Sequence, residues 1–176
     1  MIRYKTASTN NELNQILALQ QDNLPEAISE DEQISEGFVT VHHDFDLIKR
    51  MNDVCPHIIV KDNGNVVGYA LCMHPRFGGE IEVLQPMFTE LSKVIPDGER
   101  FIVMGQICIE KGYRRQGVFR KLYETMLQEI QPQFKSIITE VDLKNNRSLQ
   151  AHYAVGFKLL SRHHSGGQDW ALISLS

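Results

Sequence analysis

The run Phe101 to Ile109 (FIVMGQICI) constrains this chain more than any other feature. It is short and almost uniformly apolar, as a central strand covered on both faces must be. Gln106 is its one polar side chain with hydrogen-bonding capacity, and Gly105 beside it points to a bulge or to a place where something approaches the backbone. The sequence then turns basic through Lys111, Arg114, Arg115 and Arg120. From Gly117 to Ile130 it places Val118, Phe119, Leu122, Tyr123, Met126, Leu127 and Ile130 on one helical face, with Arg120, Lys121, Glu124, Gln128 and Glu129 opposite. Pro132 closes that helix.

Shorter elements surround this unit. Ile2 to Thr6 reads as a strand, and Thr9 with Glu12 makes a capping box for a helix carrying Leu13, Ile16, Leu17 and Leu19. Leu24-Pro25 ends it. Ser29 to Glu36 and Asp44 to Met51 are expected to be helical. His57 to Lys61 and Val66 to Met73 flank Asn63-Gly64, which accepts positive φ and predicts a tight hairpin. Residues 74–100 are an interruption rich in Gly and Pro, with a helix around Met87 to Val94. Farther on, Ser136 to Val141 is a strand, Asn145 to Val155 a helix stopped by Gly156, and Phe157 to Leu160 and Trp170 to Leu175 are closing strands. This order implies a parallel strand pair with a right-handed crossover. No repeat or linker divides the 176 residues, so one domain over 1–176 is expected.

Charge is where composition becomes informative. The net charge of −4 averages opposites: residues 1–48 hold Arg3 and Lys5 against nine acidic residues, and residues 101–176 hold ten basic against six acidic. Two partners of opposite sign would suit such a chain, although a solvated acidic face gives the same pattern. Cys55, Cys72 and Cys108 lack CxxC spacing, which argues for reduced, buried thiols and against a disulfide framework. The pairs His42-His43 and His163-His164 have no metal-ligand companions, so no metal is expected. The longest uncharged run, Asn63 to Pro75, is too short to span a bilayer, and Met1 to Asn10 has no apolar targeting segment. A cytoplasmic location without a membrane partner follows as the expectation. An acidic chain whose basic turn lacks interleaved aromatics is not expected to bind nucleic acid.

A strand that passes through a basic, glycine-containing turn into a helix offers backbone N–H groups and the positive end of a macrodipole, which together suit an anion. Basic residues before a helix also arise by chance, and Gly117 could serve packing alone. Neither GxGxxG nor GxxxxGK[ST] occurs. Arg114-Arg115-Gln116-Gly117-Val118-Phe119 resembles the pyrophosphate loop of the GNAT superfamily of acyl-CoA-dependent N-acyltransferases, Gln/Arg-x-x-Gly-x-Gly/Ala, with Phe119 in place of the usual small residue. Downstream, Asn145-x-x-Ser148-x-x-x-His152-x-x-x-Gly156-Phe157 resembles the family's Asn-x-x-Ala/Ser-x-x-x-Tyr-x-x-x-Gly-Phe. The resemblance covers residues 101–160 firmly. It implies an α/β (mixed α+β) GNAT-like domain whose central mixed, mostly antiparallel sheet has one parallel pair and is flanked by helices.

The same resemblance implies acetyl-CoA as cosubstrate. Its pyrophosphate would lie on Arg114, Arg115, Gln116, Gly117, Val118, Phe119 and Arg120, and its pantetheine amides on the backbone of Ile107, Cys108 and Ile109. Asn145 and Ser148 would accompany the pantetheine arm or lead the helix that does. Acetyl transfer to an amine needs a neutral amine, a polarised carbonyl and a proton for the departing thiolate. Asn145, Ser148 and His152 share one helical face. His152 stands where many relatives place a proton-donating Tyr; it could donate near neutral pH, and it could equally be a satisfied core residue. Tyr153 sits about 100° around the helix and is the substitute acid. Glu140 occupies the place of a Glu in the ribosomal-protein N-acetyltransferase branch and is a base candidate, or an edge carboxylate paired with a Lys or Arg.

The expected function is therefore acetyl transfer from acetyl-CoA to an amine by direct attack in a ternary complex. The acidic front, with Glu30, Asp31 and Glu32, suggests a cationic acceptor such as a polyamine, aminoglycoside, lysine side chain or peptide amine. A second copy of the chain is a further candidate partner. The rival expectation is a non-catalytic acyl-CoA-binding or interaction domain of the same fold, favoured by Phe119 and His152.

Overall fold

A computed structural model of the chain describes residues 1–31, 39 and 41–176. The expected helix over Ser29 to Glu36 falls largely outside the described residues. Two compact units make up the structure: Met1–Met73 with Gly105–Glu129, and His74–Met104 with Ile130–Ser176.

The first unit opens with β1 (Arg3–Thr6) and α1 (Asn10–Gln21), followed by α2 (Phe45–Val54), β2 (Ile58–Asp62) and β3 (Asn65–Met73). Its sheet is antiparallel, β1 on β2 and β2 on β3. The turn between β2 and β3 holds Asn63 at φ 49° and Gly64 at φ 90°, the left-handed pair that Asn-Gly allows. The second half of β4 (Phe101–Ile109) and all of α4 (Val118–Ile130) except Ile130 complete this unit. Leu13, Ile16, Leu19, Ile48, Ile59, Tyr69 and Leu71 are among its buried core. Gly105 does not mark a crowded point: a Cβ there would meet only Met73 Cβ, at 3.9 Å.

The second unit holds two short 3-10 turns (Pro75–Glu80, Glu82–Leu84), α3 (Gln85–Val94), the first half of β4, β5 (Ser136–Asp142), α5 (Asn146–Val155), β6 (Lys158–Ser165) and β7 (Gln168–Leu175). Here β4 and β5 run parallel, Phe101 to Val103 beside Ser136 to Ile138, as the crossover rule requires. β5–β7 and β6–β7 are antiparallel. The β6–β7 hairpin is longer than expected from sequence. Gly166 (φ 60°) and Gly167 (φ 75°) form its turn, a glycine pair being the residue choice for two successive left-handed positions.

Buried polar groups decide how the first unit closes. Thr9 Oγ1 accepts from the Glu12 amide (3.2 Å), and the Glu12 carboxylate accepts from the Ser8 amide (2.9 Å) rather than from the cap residue itself. The same carboxylate takes Lys5 Nζ (2.8 Å) from β1 and Lys61 Nζ (2.9 Å) from β2. Burial alone would raise its pKa, but these hydrogen bonds outweigh burial and bring it down to about 2. His57 is fully buried; Nε2–H donates to the Ile48 carbonyl (3.0 Å) and Nδ1 accepts from the Cys72 amide (3.1 Å), so burial keeps the ring neutral with a pKa of about 4. All three cysteines are free and buried.

The folded pKa of Glu12 lies below its unfolded value, so the stability it contributes is complete above pH 4.5 and is lost as pH falls toward about 2. Glu12→Gln is expected to lower the unfolding free energy by about 2 kcal/mol at pH 7 and by less at pH 3. Urea denaturation at the two pH values measures this, and equal stability of the two proteins at pH 7 would contradict the role of Glu12.

Candidate active site

In the first unit the end of β4 runs into a basic turn. Glu110 N–H donates to the Val67 carbonyl (2.9 Å), a 3-10 turn covers Lys111–Tyr113, and Tyr113 Oη donates to Asp62 (3.1 Å), which ties the turn to the β2–β3 hairpin. Arg114 is committed to scaffolding: Nε donates to the Ile109 carbonyl (2.8 Å) and Nη2 to Asn23 Oδ1 (2.8 Å). A cleft of about 450 Å3 opens beside it, lined by Gln15, Asp22, Asn23, Val66, Lys111 and Arg114 among others. Arg115 stands at φ 61° and Gly117 at φ 80°, and Gln116 Nε2 donates back to the Gly112 carbonyl (2.7 Å).

Helix α4 begins at the next residue, Val118, and the Lys121 amide donates to the Gly117 carbonyl (3.1 Å). Arg115, Gln116, Gly117 and Arg120 are exposed, Val118 is buried, and half-buried Phe119 packs edge-to-face on Tyr123 (5.2 Å, 74°). The bulk that replaces the usual small residue is thus absorbed by the helix's own aromatic neighbour. Upstream, Cys108 is buried and its thiol is pushed up to about 12 by burial, so it stays protonated, whereas Ile107 and Ile109 are half-buried.

Helix α5 lies in the second unit. Asn145 is its N-cap, Oδ1 accepting from the Ser148 amide (3.1 Å), and Gly156 ends it at φ 125°. His152 faces inward and is 3% exposed. Its Nδ1–H donates to the Ser148 carbonyl (2.7 Å), the ring meets Phe157 edge-to-face (5.1 Å), and burial lowers its pKa to about 4 despite that hydrogen bond. Tyr153 is half-buried on the adjoining face.

Also in the second unit, Glu140 pairs with no Lys or Arg among the described residues. Burial pushes its carboxyl up to about 7. The group facing it is His163 of β6, with Nε2 3.3 Å from Oε2 but without hydrogen-bond alignment. Ser161, two residues before His163, donates its hydroxyl to Glu90 of α3, whose other oxygen pairs with Lys93 (3.1 Å). These hydrogen bonds, that from Ser161 first, hold Glu90 below the usual carboxylate range. Sequence reading finds Glu140 but misses His163, Ser161 and Glu90. The available signal was Gly166-Gly167, which sets the hairpin register that turns His163 inward.

The model of the acetyltransferase (GNAT) family matches residues 13–157. No curated protein matches the chain. Among solved structures, the ribosomal-protein-S18-alanine N-acetyltransferase of Escherichia coli is similar at 14% identity and TM-score 0.65, over 99% of this chain and 93% of that one. The NatC complex bound to Gag peptide and CoA is similar at 16% and 0.68, over 99% and 97%. YncA of Salmonella typhimurium, with its cofactor acetyl-CoA, is similar at 13% and 0.64, over 99% and 93%.

Glu140 has a folded pKa above its unfolded value, so its contribution to stability is complete below pH 4.5 and is lost as pH rises through about 7. Replacing it removes the cost of burying the carboxylate at high pH. Relative to the parent protein, Glu140→Gln is expected to gain roughly 1–3 kcal/mol of stability between pH 5 and pH 8. Chemical denaturation across this range measures the difference, and a difference that does not change with pH would contradict the assignment.

Proposed function

Because the chain belongs to the acetyltransferase (GNAT) family, we propose that it transfers an acetyl group from acetyl-CoA to an amine by direct attack in a ternary complex. One observation carries this reading: the turn between β4 and α4 has Arg115 and Gly117 in left-handed conformations immediately before a helix start. Such a backbone turns amide N–H groups toward a common point at the positive end of the macrodipole, which suits a pyrophosphate. The amides of Gly117, Val118, Phe119 and Arg120 hold the phosphates, and the exposed Arg115 and Arg120 side chains add charge. Arg114 and Gln116 brace the turn from behind. The pantetheine amides lie along the backbone of Ile107, Cys108 and Ile109. The β4–β5 ladder ends at Val103 and Ile138, where the Thr139 hydroxyl donates to the Met104 carbonyl (3.1 Å), and this supports the assignment.

For the chemistry, the acceptor must lose a proton before its nitrogen can attack. A carboxyl such as Glu140, titrating near neutrality, suits that step. His152 is a weaker candidate for protonating the thiolate, because a neutral imidazole whose N–H is given to a carbonyl is a poor acid at pH 7. Tyr153 and solvent are the other sources. Asn145 and Ser148 serve first by capping and opening α5. The acidic front of the chain, with exposed Glu30 and Asp31, favours a cationic acceptor.

Gly117→Asp is expected to raise the acetyl-CoA Kd by about 10-fold or more, since it sets an anion where pyrophosphate lies. Gly117→Ala should change it far less, because no atom stands within 4 Å of the added Cβ and only the left-handed backbone resists. Calorimetric titration measures both, and an unchanged Kd in Gly117→Asp would contradict the loop assignment. Release of CoA should require a primary amine, with spermidine and lysine amide favoured over benzylamine. Tight acetyl-CoA binding without turnover of any amine would instead identify a non-catalytic binder.

A further inference from the structure

The turn between β4 and α4 is tied to the body of the first unit through its own residues. Glu110 N–H donates to the Val67 carbonyl (2.9 Å) where the turn leaves β4, and Tyr113 Oη donates to Asp62 (3.1 Å). A further tie is Arg114, whose Nη2 donates to Asn23 Oδ1 (2.8 Å) across 91 residues of chain. This tie directly adjoins Arg115, which carries a side chain and yet stands at φ 61°. The left-handed region is unfavourable for such a residue, so its neighbours must hold it there.

Asn23 is built as a fixed point. It lies two residues past α1 and is 7% exposed. Its amide N–H donates to the Gln20 carbonyl (3.0 Å), and its carbonyl accepts from the Val39 amide (3.1 Å). Its Nδ2 donates to the Leu19 carbonyl (2.8 Å), one helical turn back. That bond decides which way the side-chain amide points, because the reverse orientation would set an NH2 against the guanidinium and one carbonyl against another. Oδ1 therefore faces Arg114. Helix α1 extends the frame: Leu13, Ile16 and Leu19 lie in the core, and Gln20 Nε2 donates to Gln106 Oε1 of β4 (2.7 Å). Asn23 and the strand that ends at the turn thus belong to one connected scaffold.

Arg114 meets that scaffold with a planar fork. Nε donates to the Ile109 carbonyl (2.8 Å) and Nη2 to Asn23, and two acceptors fix both the position and the plane of the guanidinium. Lysine would supply the charge without the fork. With Arg114 held, the chain enters the left-handed positions at Arg115 and Gly117 from a defined direction.

We infer that Asn23 is a positioning residue for acetyl-CoA, holding the β4–α4 turn through Arg114 in the shape that receives the pyrophosphate. This rests on the acetyl-transfer reading above and deepens it. Asn23 touches no cofactor atom; it lowers the ordering cost that binding would otherwise bear. The role is confined to the phosphate end of the cofactor, since the backbone from Ile107 to Ile109 assigned to pantetheine belongs to β4 itself.

The test is calorimetric titration of the full chain with acetyl-CoA, alongside NMR titration with S-acetylpantetheine, which lacks the phosphates. Asn23→Ala should raise the acetyl-CoA Kd about 10-fold and leave the S-acetylpantetheine Kd within about 2-fold. Asn23→Asp keeps an oxygen for Arg114 and should recover most of the lost affinity. Both variants lose the Nδ2 bond to the Leu19 carbonyl, so a stability loss common to both does not explain a difference in Kd between them. Arg114→Lys tests the same tie from its other end, and serves where Asn23→Ala does not fold. It should raise the acetyl-CoA Kd by a similar factor, and adding Asn23→Ala to it should cost little more. Wild-type acetyl-CoA affinity in Asn23→Ala or in Arg114→Lys would overturn the inference, as would equal losses for the two probes or for the Ala and Asp variants. If Gly117→Asp still weakens binding in that case, the turn assignment stands and the role of Asn23 alone falls. A wild-type protein without affinity for acetyl-CoA would overturn both.

Discussion

Burial of one whole face of β4, from Ile102 through Gln106 to Cys108, is the constraint on which the rest depends. An apolar strand can carry Gln106 inside only if that amide is fully paired, and it is: Nε2 donates to the Val41 carbonyl (2.8 Å), while Oε1 accepts from Tyr69 Oη (2.7 Å) and Gln20 Nε2 (2.7 Å). Gln20 Oε1 in turn accepts from the His43 amide (2.9 Å). One polar residue therefore fixes α1, β3 and the 41–43 segment around the strand. The strand end then meets solvent as the basic turn, braced by Arg114 on the Ile109 carbonyl. Rigid, paired backbone thus leads directly into the left-handed positions proposed to hold phosphate.

Much of this was legible in the residues. The strand Phe101 to Ile109 matches its expected bounds, the Asn63-Gly64 turn has the expected chemistry, Thr9 caps its helix while Glu12 reaches back to Ser8 and not to Thr9, and Pro132 and Gly156 follow the helices they are expected to end. The first motif survives as a strand, a turn with Gly117 at positive φ and a helix. These are local features, settled by neighbours in sequence. The tie from Glu12 to Lys5 and Lys61 was not legible, because it joins three elements across long separations.

The chemistry was legible only in part. Glu140 stood out by its position in a motif, but its neighbour did not. His163 looked like half of a His-His pair, and only the register of the β6–β7 hairpin turns it inward while His164 faces out to Asp169 (2.8 Å). Histidine at position 152 reads as a proton donor only through the family resemblance, which places it where many relatives carry a Tyr. Burial and the Ser148 carbonyl, which spacing does not reveal, keep it neutral.

The most direct test is a crystal structure of the protein with acetyl-CoA. The account predicts pyrophosphate oxygens within hydrogen-bond reach of the amides from Gly117 to Arg120, and pantetheine amides paired with the backbone from Ile107 to Ile109. Pyrophosphate bound anywhere else on the protein would contradict it.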